Sequence, residues 1–303
     1  ALREQDCKVR VVTSKQPTLS SVTVQKEKLL RRGAEIVLIY GAYRGSTSRD
    51  TEVEPLYADD ILIGKTLAVQ EFEQAGQRDY GRPARSMGVG MLPVQLAKIM
   101  INLANPSPDA TILDPFCGLG TVLSEATVMG YQNLIGSDIE QKMINSTQEN
   151  LSWLINQSEI THIGARQQFA NSRELANCRL FCSPVEELSK HLAPNSVDAI
   201  VTEPYLGPTQ NKNIEMQEYK NIIKKLTELY TNAFEQFAKI LKPNGRVVFI
   251  FPIFVTKRRR SSLSDGVLPQ IKKLGFMPTI APITYSRENQ KVLREIFVFT
   301  LKK

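Results

Sequence analysis

The spacing of apolar positions changes along the chain, and the change divides it. Up to about residue 72, short β-rich runs alternate with polar and basic stretches. Val9–Val12, Ser21–Val24, Glu35–Tyr40 and Ile61–Val69 read as strands, and the polar segment Gly41–Asp60 reads as a loop. Residues 73–91 are rich in Gly, Arg and Gln and read as a basic linker. From residue 92 onward, helical and strand periods alternate. Helices are predicted over Leu92–Leu103, Thr121–Met129, Gln141–Leu154 and Val267–Leu274, with Gly130 closing the second. Strands are predicted over Thr111–Leu113, Asn133–Asp138, Arg179–Cys182, Val197–Val201 and Arg246–Phe251. Met216, Tyr219, Ile223, Leu226, Tyr230, Phe234, Phe237 and Leu241 step by three or four, which is one face of a long helix. Lys242-Pro243-Asn244-Gly245 should stop it. Two strands, about 279–285 and 292–301, close the chain.

Alternating β and α units of this length predict a parallel, doubly wound sheet. The last two strands are joined only by Ser286–Gln290, too short for a parallel crossover, so they must form an antiparallel hairpin. The expected fold is α/β: a seven-stranded, Rossmann-like, mostly parallel sheet with a C-terminal antiparallel hairpin, behind a small β-rich N-terminal region. The expected divisions are 1–72, a linker 73–91, and a main domain 92–303.

Composition adds limits. Of 303 residues, 42% are apolar and 23% charged, enough for a sizeable core. No run approaches the roughly 18 apolar residues of a membrane span. The polar start, Ala1-Leu2-Arg3-Glu4, lacks the apolar core of a signal peptide and an initiator Met, which suits a processed chain or a fragment. The net charge of +7 favours a polyanionic partner, nucleic acid above all; the plainer reading is a solvated basic surface. Cys7, Cys117, Cys178 and Cys182 form no CxxC pair, and the two histidines, His162 and His191, lie near none of them. No metal site is expected, and sparse unpaired cysteines fit a reducing cytoplasm.

Three segments carry chemistry. Asp114-Pro115-Phe116-Cys117-Gly118-Leu119-Gly120 lies between a strand and a helix, where open α/β sheets hold ligands. No third glycine follows at the GxGxxG spacing, because Leu123 stands there. Asp114 would repel a pyrophosphate but attract a cationic sulfonium cofactor with an α-ammonium group. Asp138 ends the next strand, 24 residues on, where a carboxylate can accept both ribose hydroxyls or cap the following helix. Thr202-Glu203-Pro204-Tyr205 ends a later strand. Carbonyl acceptors beside an aromatic face suit a planar base with an exocyclic amine; a loop with a packed Tyr is the plainer reading.

In this order the three segments resemble the amino-group methyltransferases of class I, whose fourth motif is usually Asp/Asn-Pro-Pro-Tyr. Arg78-Asp79-Tyr80-Gly81-Arg82-Pro83, Val89-Gly90-Met91-Leu92-Pro93 and Asp114–Gly118 are more closely similar to the tRNA guanosine-N(2) methyltransferases that carry a THUMP domain, with a methyltransferase domain of the UPF0020 type. The resemblance spans about 75–303. Residues 8–40 look like the tail of that family's RNA-binding N-terminal region, so a fragment or a shortened relative is expected.

The resemblance implies S-adenosylmethionine as cofactor and the exocyclic amine of a guanosine in tRNA, position ten by family habit, as methyl acceptor. Asp114, Gly118 and Gly120 would meet the methionine part and Asp138 the ribose, with Phe116, Cys117, Thr121, Ile139 and Ser183 completing the cofactor site. Thr202, Glu203, Pro204 and Tyr205 would hold the acceptor base. Thr202 stands where the family carries Asp or Asn, and Ser183 where many relatives carry an Asp for the adenine amine. Lys257, Arg258, Arg259 and Arg260 follow the fifth strand at the carboxyl edge, and Arg78, Arg82 and Arg85 precede the first motif; both groups are candidate RNA contacts. The implied partner is tRNA, without membrane or metal, and a monomer is the working expectation. A DNA or protein amino-methyltransferase and a non-catalytic RNA-binding relative of the same fold are the alternatives.

Overall fold

The computed structural model describes residues 24, 26, 36–40, 61–66, 72–85, 91–156, 177–208, 216–255, 260–286, 290 and 292–302. The chain divides into two compact units, Ala1–Gly76 and Gln77–Lys303. In the first, β1 (Ile36–Tyr40) and β2 (Ile61–Lys65) pair antiparallel, Ile36 opposite Lys65. Helix α1 (Phe72–Tyr80) runs across the division.

The second unit starts its alternation with α2 (Val94–Ala104), β3 (Thr111–Asp114), α3 (Thr121–Val128), β4 (Asn133–Asp138), α4 (Gln141–Asn156) and β5 (Asn177–Cys182). There follow α5 (Leu188–His191), β6 (Val197–Thr202), α6 (Met216–Ile240), β7 (Leu241–Val255), β8 (Arg260–Ser262) and α7 (Ser264–Lys273). β9 (Phe276–Pro278), β10 (Ile283–Tyr285) and β11 (Val292–Leu301) complete it. The sheet order is β10-β11-β7-β6-β3-β4-β5, with β8 added to β7 and β9 to β11. β3 to β7 are mutually parallel; β11 runs antiparallel to β7, with Phe249 opposite Phe297.

Why the central strands read as unbroken apolar runs is visible in β7. Successive side chains alternate faces. Val247, Phe249 and Phe251 enter a core with Tyr230, Phe234 and Phe237 of α6, while Val248 and Ile250 enter a core with α2 and α3. Both faces are covered, so every position is apolar. The face of α6 that steps by three or four is the one buried: Leu226, Tyr230, Phe234 and Phe237.

The expected mostly parallel sheet with an antiparallel end is observed, as a path of seven strands to which β8 and β9 are added, and several boundaries differ. The outer partner of β11 is broken into β9 and β10, whose registers on β11 are offset by two residues. β7 starts at Leu241, opposite Val197; Lys242–Gly245 then bulges, with Asn244 at a left-handed φ of 61°, and the ladder resumes at Ala199 opposite Arg246 in a shifted register. Residues 73–80, read as linker, are helical, and residues 81–85 pack on the main unit. Asn150 of α4 exchanges two hydrogen bonds with the Ala84 backbone, at 2.9 and 3.1 Å, and donates a third to the Leu119 carbonyl. Of Ser21–Val24, only Val24 is described, and it is helical rather than extended. Val9–Val12 and the segment Gly41–Asp60 lie outside the described residues.

The chain winds from β3 outward to β5, then returns to β6 on the other side of β3. The reversal opens a crevice at the carboxyl ends of β3 and β6, which is where open α/β sheets hold their ligands.

Candidate active site

Asp114 ends β3 and is 2% exposed. After it the backbone turns through Gly118 (φ 52°) and Gly120 (φ 76°), left-handed values that favour glycine. At Gly120 a Cβ would also lie 2.8 Å from Thr147 Cγ2, so side chains are excluded there twice over. The amide of Gly118 donates to Asp138 Oδ2 at 3.0 Å, which ties the turn to the end of β4. Asp138 Oδ1 accepts from the Glu140 amide at 3.0 Å, just ahead of α4. One carboxylate thus shapes two backbone turns.

Asp114 Oδ1 accepts the Thr202 hydroxyl at 2.6 Å and the Phe116 amide at 3.3 Å. Burial raises the Asp114 pKa to about 7, against the lowering effect of these two bonds. Burial also raises Asp138, against the backbone amides of Glu140 and Gly118, which favour its charged form. The Cys117 thiol is pushed up by burial and by Asp114, so it is an inert wall group rather than a nucleophile.

A cleft of about 900 Å3 opens over this crevice, within the usual range for small-molecule sites. Asp114, Phe116, Cys117, Gly118, Thr121, Asp138 and Ile139 are all on its wall. Gly120 sits behind the wall. Ser183 is also off it: this side chain is 3% exposed and its hydroxyl donates to the Pro184 carbonyl at 3.0 Å. The structure therefore corrects the expectation for Ser183; Val185 and Glu186, in the 3-10 turn that follows, reach the cleft instead.

On the acceptor side a second correction is needed. Thr202 is fully buried and spends its hydroxyl on Asp114, so it does not face the cleft. Glu203, Pro204 and Tyr205 do, and Tyr205 is 55% exposed with its carbonyl fixed by the Tyr230 hydroxyl at 2.8 Å. The acidic group at the end of β6 is therefore Glu203. Arg294 of β11 grips it, Nε to Oε1 at 2.5 Å and Nη2 to Oε2 at 3.3 Å. Burial raises the Glu203 pKa, and Arg294 opposes that rise. Sequence reasoning missed Arg294 and Glu186. The signal for Arg294 was a single cation in the apolar run Val292–Leu301.

The expected RNA contacts separate. Arg78 is 6% exposed and paired with Glu125 of α3 at 2.7 Å. Arg82 is 4% exposed and donates to Thr121 Oγ1 at 2.7 Å. Neither forms a free phosphate-binding surface, and both expectations are corrected: Arg78 is spent on the buried carboxylate of Glu125, and Arg82 is turned inward onto Thr121. Arg85 is exposed, donating to the Tyr80 carbonyl at 2.5 Å. Arg260 is exposed at the start of β8, next to the carboxyl end of β7 and so on the cleft edge of the sheet. Lys257, Arg258 and Arg259 lie outside the described residues. Among the described residues no cluster of His, Cys, Asp or Glu is placed to hold a metal, and no helix is long and apolar enough to cross a membrane.

A doubly wound sheet of this order, closed by an antiparallel strand and carrying an acidic glycine turn at its switch point, defines a class I S-adenosylmethionine-dependent methyltransferase fold. The chain belongs to the UPF0020 family, RMKL-like, methyltransferase domain, whose profile matches residues 82–255. It is 34% identical over 197 residues to a tRNA (guanine(10)-N2)-dimethyltransferase of Methanocaldococcus jannaschii, covering 63% of this chain and 48% of that protein. It is 32% identical over 161 residues to the protein of the same name from Methanothermobacter thermautotrophicus, covering 52% of this chain and 40% of that one. The chain thus spans about half the length, or less, of these curated relatives. Among solved structures, TrmN from Thermus thermophilus is similar at 19% identity with a TM-score of 0.49, covering 80% of this chain and 56% of that one.

Proposed function

We propose that this chain transfers a methyl group from S-adenosylmethionine to the exocyclic N2 amine of a guanosine in tRNA, at position ten. The observation that carries this reading is the juxtaposition in one cleft of the Asp114–Gly120 turn and the Glu203-Pro204-Tyr205 segment, at the ends of adjoining strands. The residues suit the cofactor: Asp114 offers an anion to a cationic tail, and Asp138 is an acceptor at the ribose position. When bound, the cofactor supplies an electrophilic methyl group on its sulfonium.

The chain's own part is positioning. Glu203 and the backbone carbonyls beside Pro204 accept N–H bonds from the amine, turning its lone pair toward the methyl group. Glu203 takes the proton released as the N–C bond forms. Arg294 keeps that carboxylate in place. Tyr205 offers its face to a base flipped out of a stem. The basic edge around Arg260 receives the phosphate backbone. Position ten and dimethylation rest on the names of the relatives; a cytoplasmic setting rests on the sparse cysteines.

The test is incubation with labelled cofactor and a tRNA carrying guanosine or inosine at position ten, since inosine lacks the amine. Labelling only of the guanosine form is expected, and nucleoside analysis of the product counts the methyl groups added. Labelling of DNA instead, or cofactor binding with no transfer, overturns the reading.

A further inference from the structure

The cleft wall contains two cationic side chains among the described residues, Arg82 and Arg294. They are not equivalent. Arg294 is engaged by both oxygens of Glu203. Arg82 has no anionic hydrogen-bond partner. Its Nη1 donates to the Thr121 hydroxyl at 2.7 Å and its Nη2 to the Met91 thioether at 3.1 Å. A thioether is a weak acceptor for a guanidinium. The Nε has no acceptor among the described residues, although the side chain is more than nine-tenths buried. Asp79 and Glu125 lie near enough to favour its charge, yet neither is hydrogen-bonded to it; a buried cation whose own hydrogen bonds go to a hydroxyl and a sulfur calls for explanation.

Its position supplies one. Thr121 is the first residue of α3, directly after the glycine turn, so the guanidinium sits at a helix N-terminus, where the macrodipole also favours negative charge. Both hydrogen-bond partners, Thr121 and Met91, are themselves on the cleft wall. On the same wall stands Asp114, at the opposite end of the turn. An amino-acid end carries an ammonium and a carboxylate, and recognising both takes an anion and a cation that face one cavity.

We propose that Arg82, with the N-terminus of α3, receives the α-carboxylate of the cofactor's methionine tail, while Asp114 receives its α-ammonium. This rests on the cofactor reading above and adds a binding residue to it. A carboxylate would replace the thioether as the acceptor of Nη2 and form a charge-assisted bond. Arg82 thus leaves the RNA-facing set and joins the cofactor-binding one.

The experiment is calorimetric binding of S-adenosylmethionine and of its decarboxylated analogue, which keeps the sulfonium and the ammonium. Wild-type protein is expected to prefer the intact cofactor by about ten- to a hundredfold, the range of a hydrogen bond between charged groups. Arg82→Met should lose that preference by weakening the intact cofactor alone, and Arg82→Lys should keep part of it. Equal affinity of the wild type for the two probes overturns the proposal without any variant having to fold. So does an Arg82→Met chain that weakens both probes alike, because that is the mark of a merely structural clamp. A wild type that binds neither probe overturns the cofactor reading itself and this inference with it.

Discussion

Asp114 is held between two demands. Burial resists its charge, and the Thr202 hydroxyl at 2.6 Å supports it. Thr202→Val removes that support and leaves Asp114 short of a donor. It should cost about 1–3 kcal/mol of stability by denaturant titration and weaken cofactor binding, with little change in the fold. The pH dependence follows from the same group. Its folded pKa of about 7 lies above the ordinary 3.8, so the protonated form is the favoured one in the unliganded chain below pH 7. The stability this group contributes is complete below the unfolded pKa and is lost as pH rises through 7. Cofactor binding selects the carboxylate, so affinity should rise about tenfold per pH unit below 7 and then level off. Calorimetry across that range checks it, and Asp114→Asn should be weak and flat. At this scale the sequence was readable where a residue type and its place agreed. Asp114 and Asp138 end adjoining strands one βα unit apart, and both reach the cleft. Thr202 and Ser183 misled because position along a strand does not say which way a hydroxyl turns. Arg78 and Arg82 misled because a cluster of arginines in the sequence is silent about burial.

Helix α1 shows what an element owes to contacts far away in the chain. Its sequence, Phe72–Tyr80, is polar and holds a glycine, which is why it reads as linker. Arg78 fixes it by a bidentate pair with Glu125, 47 residues on, at 2.7 and 3.2 Å, while Lys98 adds a third charge at 3.7 Å. Glu125 is fully buried, and burial raises its pKa against the pull of Arg78. Removing one partner strands the other. Arg78→Met or Glu125→Leu alone should cost about 3–5 kcal/mol, and the double variant should recover most of it. Chemical denaturation of the three variants measures the coupling. A double variant as unstable as the sum of the singles would show that the pair does not interact. Elements whose stability is carried by an apolar face, such as α6, were legible nearly to the residue; α1 and the short β8 were not, since neither carries a periodic apolar stripe.

At the scale of the whole molecule, the alternation of periods was enough to give a mostly parallel sheet, and the short last connection its antiparallel end; the strand order and the switch point were not legible, because periods and connection lengths do not fix which strands lie side by side. Charge was less informative: a net +7 does not say which cations are free. The corrected set leaves two kinds of site with opposite salt behaviour. The cofactor half of the cleft uses buried or half-buried groups, so its affinity should change little with ionic strength. Under the proposed function, tRNA binding would draw on exposed cations such as Arg260 and should fall steeply, the logarithm of the association constant declining linearly with the logarithm of salt concentration. Arg260→Gln removes one phosphate contact in this reading and should reduce the slope by about one, with cofactor affinity unchanged. Filter binding of tRNA at several salt concentrations, with and without the substitution, reads the slope directly. An unchanged slope would remove the β7–β8 edge from the RNA surface. A steep slope for the cofactor as well would place its recognition on exposed charge rather than in the cleft between β3 and β6.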